Sequence, residues 1–163
     1  MERNYRRESL RRRRPLQTNL MILSALLLLP FSVQGAGDLT AQQPVELRVE
    51  LGNKEDALRF FPDLIQLETG KLYRLILLNP SKQKHYFSSE GMSQAVFTRK
   101  VQINGKEGKP IAEVKGQIRE IEVYPEGFAE WWFVPVKTGV FNDLKCTIPG
   151  HADEGMVGKI VIK

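Results

Sequence analysis

Apolar and polar residues alternate strictly from Val45 to Leu51. Val45, Leu47, Val49 and Leu51 fall on one side, and Glu46, Arg48 and Glu50 on the other. A period of two predicts a half-buried β-strand, and Gly52-Asn53 predicts its end. Ile65 and Leu67 begin another extended piece. Thr69-Gly70 then turns the chain into Leu72 to Leu78, which is mostly apolar on both faces, as in a central strand covered on both sides, until Asn79-Pro80 stops it. The stretch from Ser88 to Arg99 predicts a short helix around Gln94 to Thr98. Val101 to Ile103 and Ile118 to Tyr124 predict strands around a Gly- and Lys-rich loop, Asn104 to Gly116. Phe128 to Val134 predicts a dense strand with Trp131 and Trp132 facing opposite ways, one toward a core and one toward solvent. Val140 to Cys146 and Val157 to Ile162 complete the set. Seven or eight short strands with turn signals between them predict an all-β sandwich or small barrel.

The first 35 residues have a different character. Seven arginines, four of them consecutive, precede a run from Leu20 to Phe31 that is apolar except for Ser24 and Pro30. Small residues follow: Ser32, Gly35, Ala36 and Gly37. A basic region, a short apolar region and a small-residue site read as a secretory signal, with cleavage after Gly35 or Ala36. The apolar run is about 12 residues, short of the ~20 that a bilayer core requires, so a retained anchor is the weaker alternative. The expected organisation is a signal segment over 1–35, a lead-in over 36–44 and one domain over 45–163. Membrane contact is expected only through an uncleaved leader.

Charge divides the same way. Of 24 Lys and Arg and 19 Asp and Glu, residues 1–35 hold seven and two. The remainder carries 17 of each sign, so the overall +5 belongs to the leader. A balanced, interspersed surface offers no basic face for nucleic acid.

The chemistry concentrates near the C-terminus. Cys146, His151 and Met156 sit in Cys-Thr-Ile-Pro-Gly-His-Ala-Asp-Glu-Gly-Met with four residues between each pair, and Cys146 is the chain's one cysteine. The other histidine, His85, follows Asn-Pro-Ser-Lys-Gln-Lys. One cysteine cannot form an internal disulfide, and metal ligation explains a lone thiol in an exported protein. Two imidazoles, a thiolate and a thioether form the ligand set of a mononuclear blue-copper centre. His85 is expected to arrive from across the sandwich. Zinc also accepts one Cys and two His with an open position, and Met92 is a second methionine that offers a thioether. No histidine remains for a second copper or for a general base, which argues against an enzyme.

Asn79, His85-Tyr86-Phe87, Thr138-Gly139, Cys146-Thr-Ile-Pro-Gly-His151 and Gly155-Met156-Val-Gly158-Lys-Ile-Val-Ile resemble the cupredoxins, the plastocyanin, azurin and rusticyanin group. The resemblance covers about Val45 to Lys163. It implies a Greek-key β-sandwich, a type 1 copper bound by His85, Cys146, His151 and Met156, and one-electron transfer. It also implies an exposed His151 edge, flanked by Ile148, Pro149 and Ala152, where redox partners dock on a monomer. The compartment implied is the periplasm or a thylakoid lumen. Copper delivery or storage for an exported enzyme is the alternative function. Two departures stand out. Asn142-Asp143-Leu144-Lys145 lacks the aromatic residues common before the cysteine, which predicts a bulge, and Tyr86 replaces the asparagine that often follows the first histidine.

Overall fold

The alternating segment Val45–Leu51 is the first strand, β1, of a computed structural model that describes residues 37–105 and 108–163. The leader lies outside the described residues. Two further strands follow β1: β2 (Phe60–Phe61) and β3 (Leu64–Leu67). Next come β4 (Tyr73–Leu78), β5 (His85–Ser88), the helix α1 (Glu90–Ala95), β6 (Val96–Asn104) and β7 (Pro110–Val114). The last four strands are β8 (Glu120–Val123), β9 (Phe128–Pro135), β10 (Gly139–Lys145) and β11 (Val157–Ile162). One sheet has the order β2-β1-β4-β9-β6-β7 and the other β3-β11-β10-β5-β8. The all-β sandwich expected from the sequence is therefore present. From β3 onward the chain passes repeatedly between the two sheets, as a Greek-key connectivity requires. No helix among the described residues is long and apolar enough to cross a membrane.

The core lies between the sheets. Val49, Leu51, Leu75, Leu77, Trp131 and Phe133 meet Phe87, Leu144, Ile160 and Ile162 there. β4 lies between β1 and β9, with Val49 beside Leu77 and Trp131 beside Leu75 on its core face, while on its other face Ile76 is buried and Arg74 and Leu78 are half-buried. The tryptophan pair divides as the strand period demands. Trp131 is buried and donates its indole N–H to Thr98 Oγ1 at 3.1 Å, while Trp132 is half-buried on the outer face.

Three expectations need correction. The helix lies at Glu90–Ala95, earlier than Gln94 to Thr98, because Ser89 caps it by accepting the Met92 N–H and because Val96 to Thr98 pair with β9 instead. The loop expected over Asn104 to Gly116 contains β7, which forms a hairpin with β6. All five residues of β7 are exposed, so no buried face imprinted an alternation on its sequence. The described residues hold eleven strands, above the expected seven or eight. The bulge expected before the cysteine is present between Phe141 and Leu144. It turns Asp143 toward α1, where its carboxylate accepts the Ser89 hydroxyl and the Gly91 N–H at 2.7 Å each.

Outside the core, the buried Glu130 is gripped by Arg74 at 2.7 and 3.0 Å, by the Trp132 indole N–H and by Asn104. Burial alone would raise the Glu130 pKa, but these hydrogen bonds prevail and hold it below its ordinary value of 4.5. A carboxylate depressed in the folded state stabilises the fold above its unfolded pKa, and that contribution disappears as pH falls through the folded pKa. Denaturant titrations of the full chain should therefore show stability declining below about pH 4.5. Glu130→Gln should cost about 1–2 kcal/mol at neutral pH and flatten that decline. A variant with an unchanged acid profile would remove Glu130 as its source.

Candidate metal centre

β5 and β10 are neighbours in one sheet, paired through Ser88 and Lys145. Cys146 follows Lys145 directly, and His85 opens β5. The two residues thus arrive at one end of the same sheet. This corrects the expectation that His85 comes from across the sandwich: it follows β4 of the opposite sheet, but it has already changed sheets when it reaches the site. Beyond the Ser88–Lys145 pair the ladder gives way. The next amide, Tyr86 N–H, donates to Cys146 Sγ at 3.4 Å. The bond is made by the backbone, so a tyrosine in place of the more usual asparagine leaves it intact.

The segment from Cys146 to Met156 is a tightly wound loop. Cys146 N–H donates to the Met156 carbonyl at 3.0 Å, Met156 N–H to His151 at 2.8 Å, and His151 N–H to Ile148 at 3.1 Å. Gly150 and Gly155 take φ of +86° and +110°, conformations that cost a glycine least. The result places His151 Nδ1 3.5 Å from Cys146 Sγ, and His85 Nδ1 lies 4.0 Å from the same sulfur. The donor atoms of these three residues all fall within 4.8 Å of one another, and the two rings are tilted by 56° at a centroid separation of 5.2 Å. Met156 is fully buried at the far end of the loop, whereas Met92 is buried on α1.

His85 is 0% exposed, Cys146 1%, Met156 0% and His151 9%. His151 is the most accessible of the four, but it is much less open than the exposed edge expected from the sequence. The turn at residues 148–155 draws it inward, leaving Pro149 and Gly150 exposed and Ile148 and Ala152 half-buried around it. Burial holds the His85 pKa below its ordinary value, and the neighbouring His151 adds to this, against a weaker opposing pull from Asp56. A neutral ring keeps a lone pair for an ion.

The donor set fits a metal. An ion bound about 2.0 Å from imidazole nitrogen and 2.3 Å from thiolate sulfur leaves its ligands about 3.5 Å apart in a tetrahedral arrangement, close to the spacings found here. A thiolate, with the buried Met156 on the same loop as a further soft donor, favours a soft ion, copper over zinc.

Two supports were not visible in the sequence reading. Asn79 ties the 79–84 loop together. Its Nδ2 donates to Gln83 O at 2.7 Å and to Val123 O at 2.8 Å, while its Oδ1 accepts from Ser81 N–H and Oγ–H at 3.1 and 2.7 Å. Gly52, with φ +78°, approaches His85 so closely that an added Cβ would lie 3.1 Å from Nε2. The sequence marked Gly52 only as a strand end and Asn79 only as a strand end and a point of family resemblance, without the contacts each makes.

No family model matches the chain. It is 28% identical over 112 residues to the copper-resistant cuproprotein CopI of Rubrivivax gelatinosus, covering 66% of this chain and 62% of that protein. The chain thus spans less than two thirds of that relative's length. Among solved structures, it is similar to the multicopper oxidase McoA of the hyperthermophile Aquifex aeolicus, with TM-score 0.54 and 16% identity, over 75% of this chain and 30% of that one. It is also similar to the copper-containing nitrite reductase of Thermus scotoductus, with TM-score 0.53 and 18% identity, over 75% of this chain and 32% of that one. The fold is that of the cupredoxins. In each of the two enzymes, a cupredoxin-like portion of about a third of the chain corresponds to this protein.

The knot around Asn79 carries a measurable consequence. Asn79→Ala removes four hydrogen bonds and leaves the Gln83 and Val123 carbonyls without these donors, which should destabilise the metal-free protein by about 2–4 kcal/mol in equilibrium denaturation. A loss below about 0.5 kcal/mol would show that the loop stands without the knot.

Proposed function

We propose that the chain is a type 1 copper protein that carries single electrons, with one copper ion held by His85 and His151 through Nδ1, Cys146 through its thiolate and Met156 through its thioether. The observation that carries this reading is the environment of Cys146 Sγ. It is a buried sulfur with imidazole nitrogens at 3.5 and 4.0 Å and an amide N–H at 3.4 Å. Copper at such a site supplies one-electron redox chemistry, cycling between Cu(I) and Cu(II).

The chain's own residues do the rest. Sheet pairing fixes Cys146 and His85, and the hydrogen-bonded loop fixes His151 and Met156, so the donors need not rearrange when the charge at the site changes. Burial keeps water from the sulfur and supports a carrier over an enzyme with an open substrate position. Both histidines of the sequence are already used, so this chain offers none for a second copper centre. Electrons would pass through the loop end around His151, where Ile148, Pro149 and Ala152 form the surface met by a redox partner of the monomer. The leader supports export to the periplasm or a comparable compartment.

The kinship to a copper-resistant cuproprotein favours a second reading, in which the same site buffers copper or delivers it to another exported protein. A carrier keeps its ion through repeated reduction and reoxidation; a delivery protein surrenders it to an acceptor.

Addition of Cu(II) to the full chain should produce an intense visible thiolate-to-copper charge-transfer band. Cys146→Ser should abolish it while leaving the β-sheet circular dichroism unchanged, and Met156→Leu should keep the band with a shifted reduction potential. A colourless complex, or a band that survives in Cys146→Ser, would contradict the assignment.

A further inference from the structure

His85 is held from behind as well as from the site. Its Nδ1 faces Cys146, but its Nε2 is buried and finds no hydrogen-bond partner among the described residues. The point where a Cβ of Gly52 would stand lies 3.1 Å from Nε2, 3.1 Å from Ser81 Cβ and 3.2 Å from the Ala57 carbonyl. A ring that releases an ion at Nδ1 by withdrawing toward its Nε2 edge moves toward Gly52, which Ala57 and Ser81 flank. Two loops supply these residues: 52–59, between β1 and β2, and 79–84, between β4 and β5. Asp56 joins them. Its Oδ1 accepts the Lys82 backbone N–H at 2.7 Å, and its Oδ2 lies 3.7 Å from Lys82 Nζ. Asp56 itself has φ +59°, a conformation that Asp and Asn tolerate better than most residues. The 52–59 loop also reaches the ligand loop, because the Leu58 carbonyl lies 3.9 Å from the Cβ position of Gly155.

We propose that Asp56 is a positioning residue that fastens the 52–59 loop behind His85 and thereby slows the exchange of copper. This rests on the assignment of His85 as a copper ligand. It adds a kinetic statement to that assignment: the ring cannot retreat from the ion until the bond between Asp56 and Lys82 opens. Such a latch suits a protein that keeps its ion, and it lies in a segment outside the donor set.

The test compares the full chain with Asp56→Gly and Asp56→Asn. The glycine accepts the positive φ but removes the acceptor, whereas the asparagine keeps both. Each protein is loaded with copper, reduced, and mixed with excess bathocuproine disulfonate, and the appearance of its Cu(I) complex is timed. The Cu(II) visible band and the denaturation midpoint of the metal-free form are recorded alongside. Asp56→Gly should release copper about tenfold faster with an unchanged band, and its metal-free midpoint should fall only by the small amount that one lost hydrogen bond costs. Asp56→Asn should stay within about twofold of the parent, since its side-chain carbonyl still accepts from Lys82. Release from Asp56→Gly at the parent rate overturns the latch and leaves the copper site standing, as does release from Asp56→Asn as fast as from Asp56→Gly. A parent without the charge-transfer band overturns the copper site and the latch with it.

Discussion

The sulfur of Cys146 occupies the place where a β-ladder stops. One residue earlier, Lys145 still pairs with Ser88; at Cys146, the amide of Tyr86 donates to sulfur in place of a carbonyl. That exchange of partner fixes much of the rest. The sulfur must lie where the strand ends, and His85 must open the adjacent strand. The loop after Cys146 must also fold back within a few residues to bring His151 to the sulfur, and it closes with the Cys146 N–H donating to the Met156 carbonyl. A thiolate buried in apolar surroundings is costly unless donors or a cation compensate it. The amide supplies one donor, and a metal would supply the larger share.

The supports of the site come from every direction. β10 contributes the cysteine and, through its bulge, sends Asp143 to cap α1. The Asn79 knot shapes the approach to His85, and the 52–59 loop closes the space behind it. Each of these is a backbone or side-chain constraint on a donor residue, and none depends on a change of shape. A rigid set of donors is what fast electron exchange requires, because little has to move when the charge on the ion changes. Under the proposed carrier reading, the same rigidity would also slow exchange of the ion, so that one architecture would serve both electron transfer and retention.

Much of this was legible in the chain. β1 and β11 coincide with the segments read from their patterns, because each has one face toward the core and the other toward solvent. The donor residues were legible because His and Cys are so scarce here that their spacing carries the signal, and three of them do converge. What was not legible had no pattern to carry it. β7 is exposed on both faces and reads as a loop; the helix gave way to strand pairing at Val96, a tertiary preference that no local propensity records. Gly52 read only as the end of a strand and Asp56 carried no signal, since their roles depend on which distant loop meets them. The inward turn of His151 likewise comes from the hydrogen-bonded winding of residues 148–155, which its apolar flanks alone did not indicate.

X-ray absorption at the copper edge of the oxidised, copper-loaded full chain tests the central claim most directly, because it counts the atoms around the ion. The account predicts a single short thiolate sulfur and two imidazole nitrogens in the first shell, with the sulfur contribution gone when residue 146 cannot supply it. A first shell of nitrogen and oxygen alone in the parent chain would contradict it.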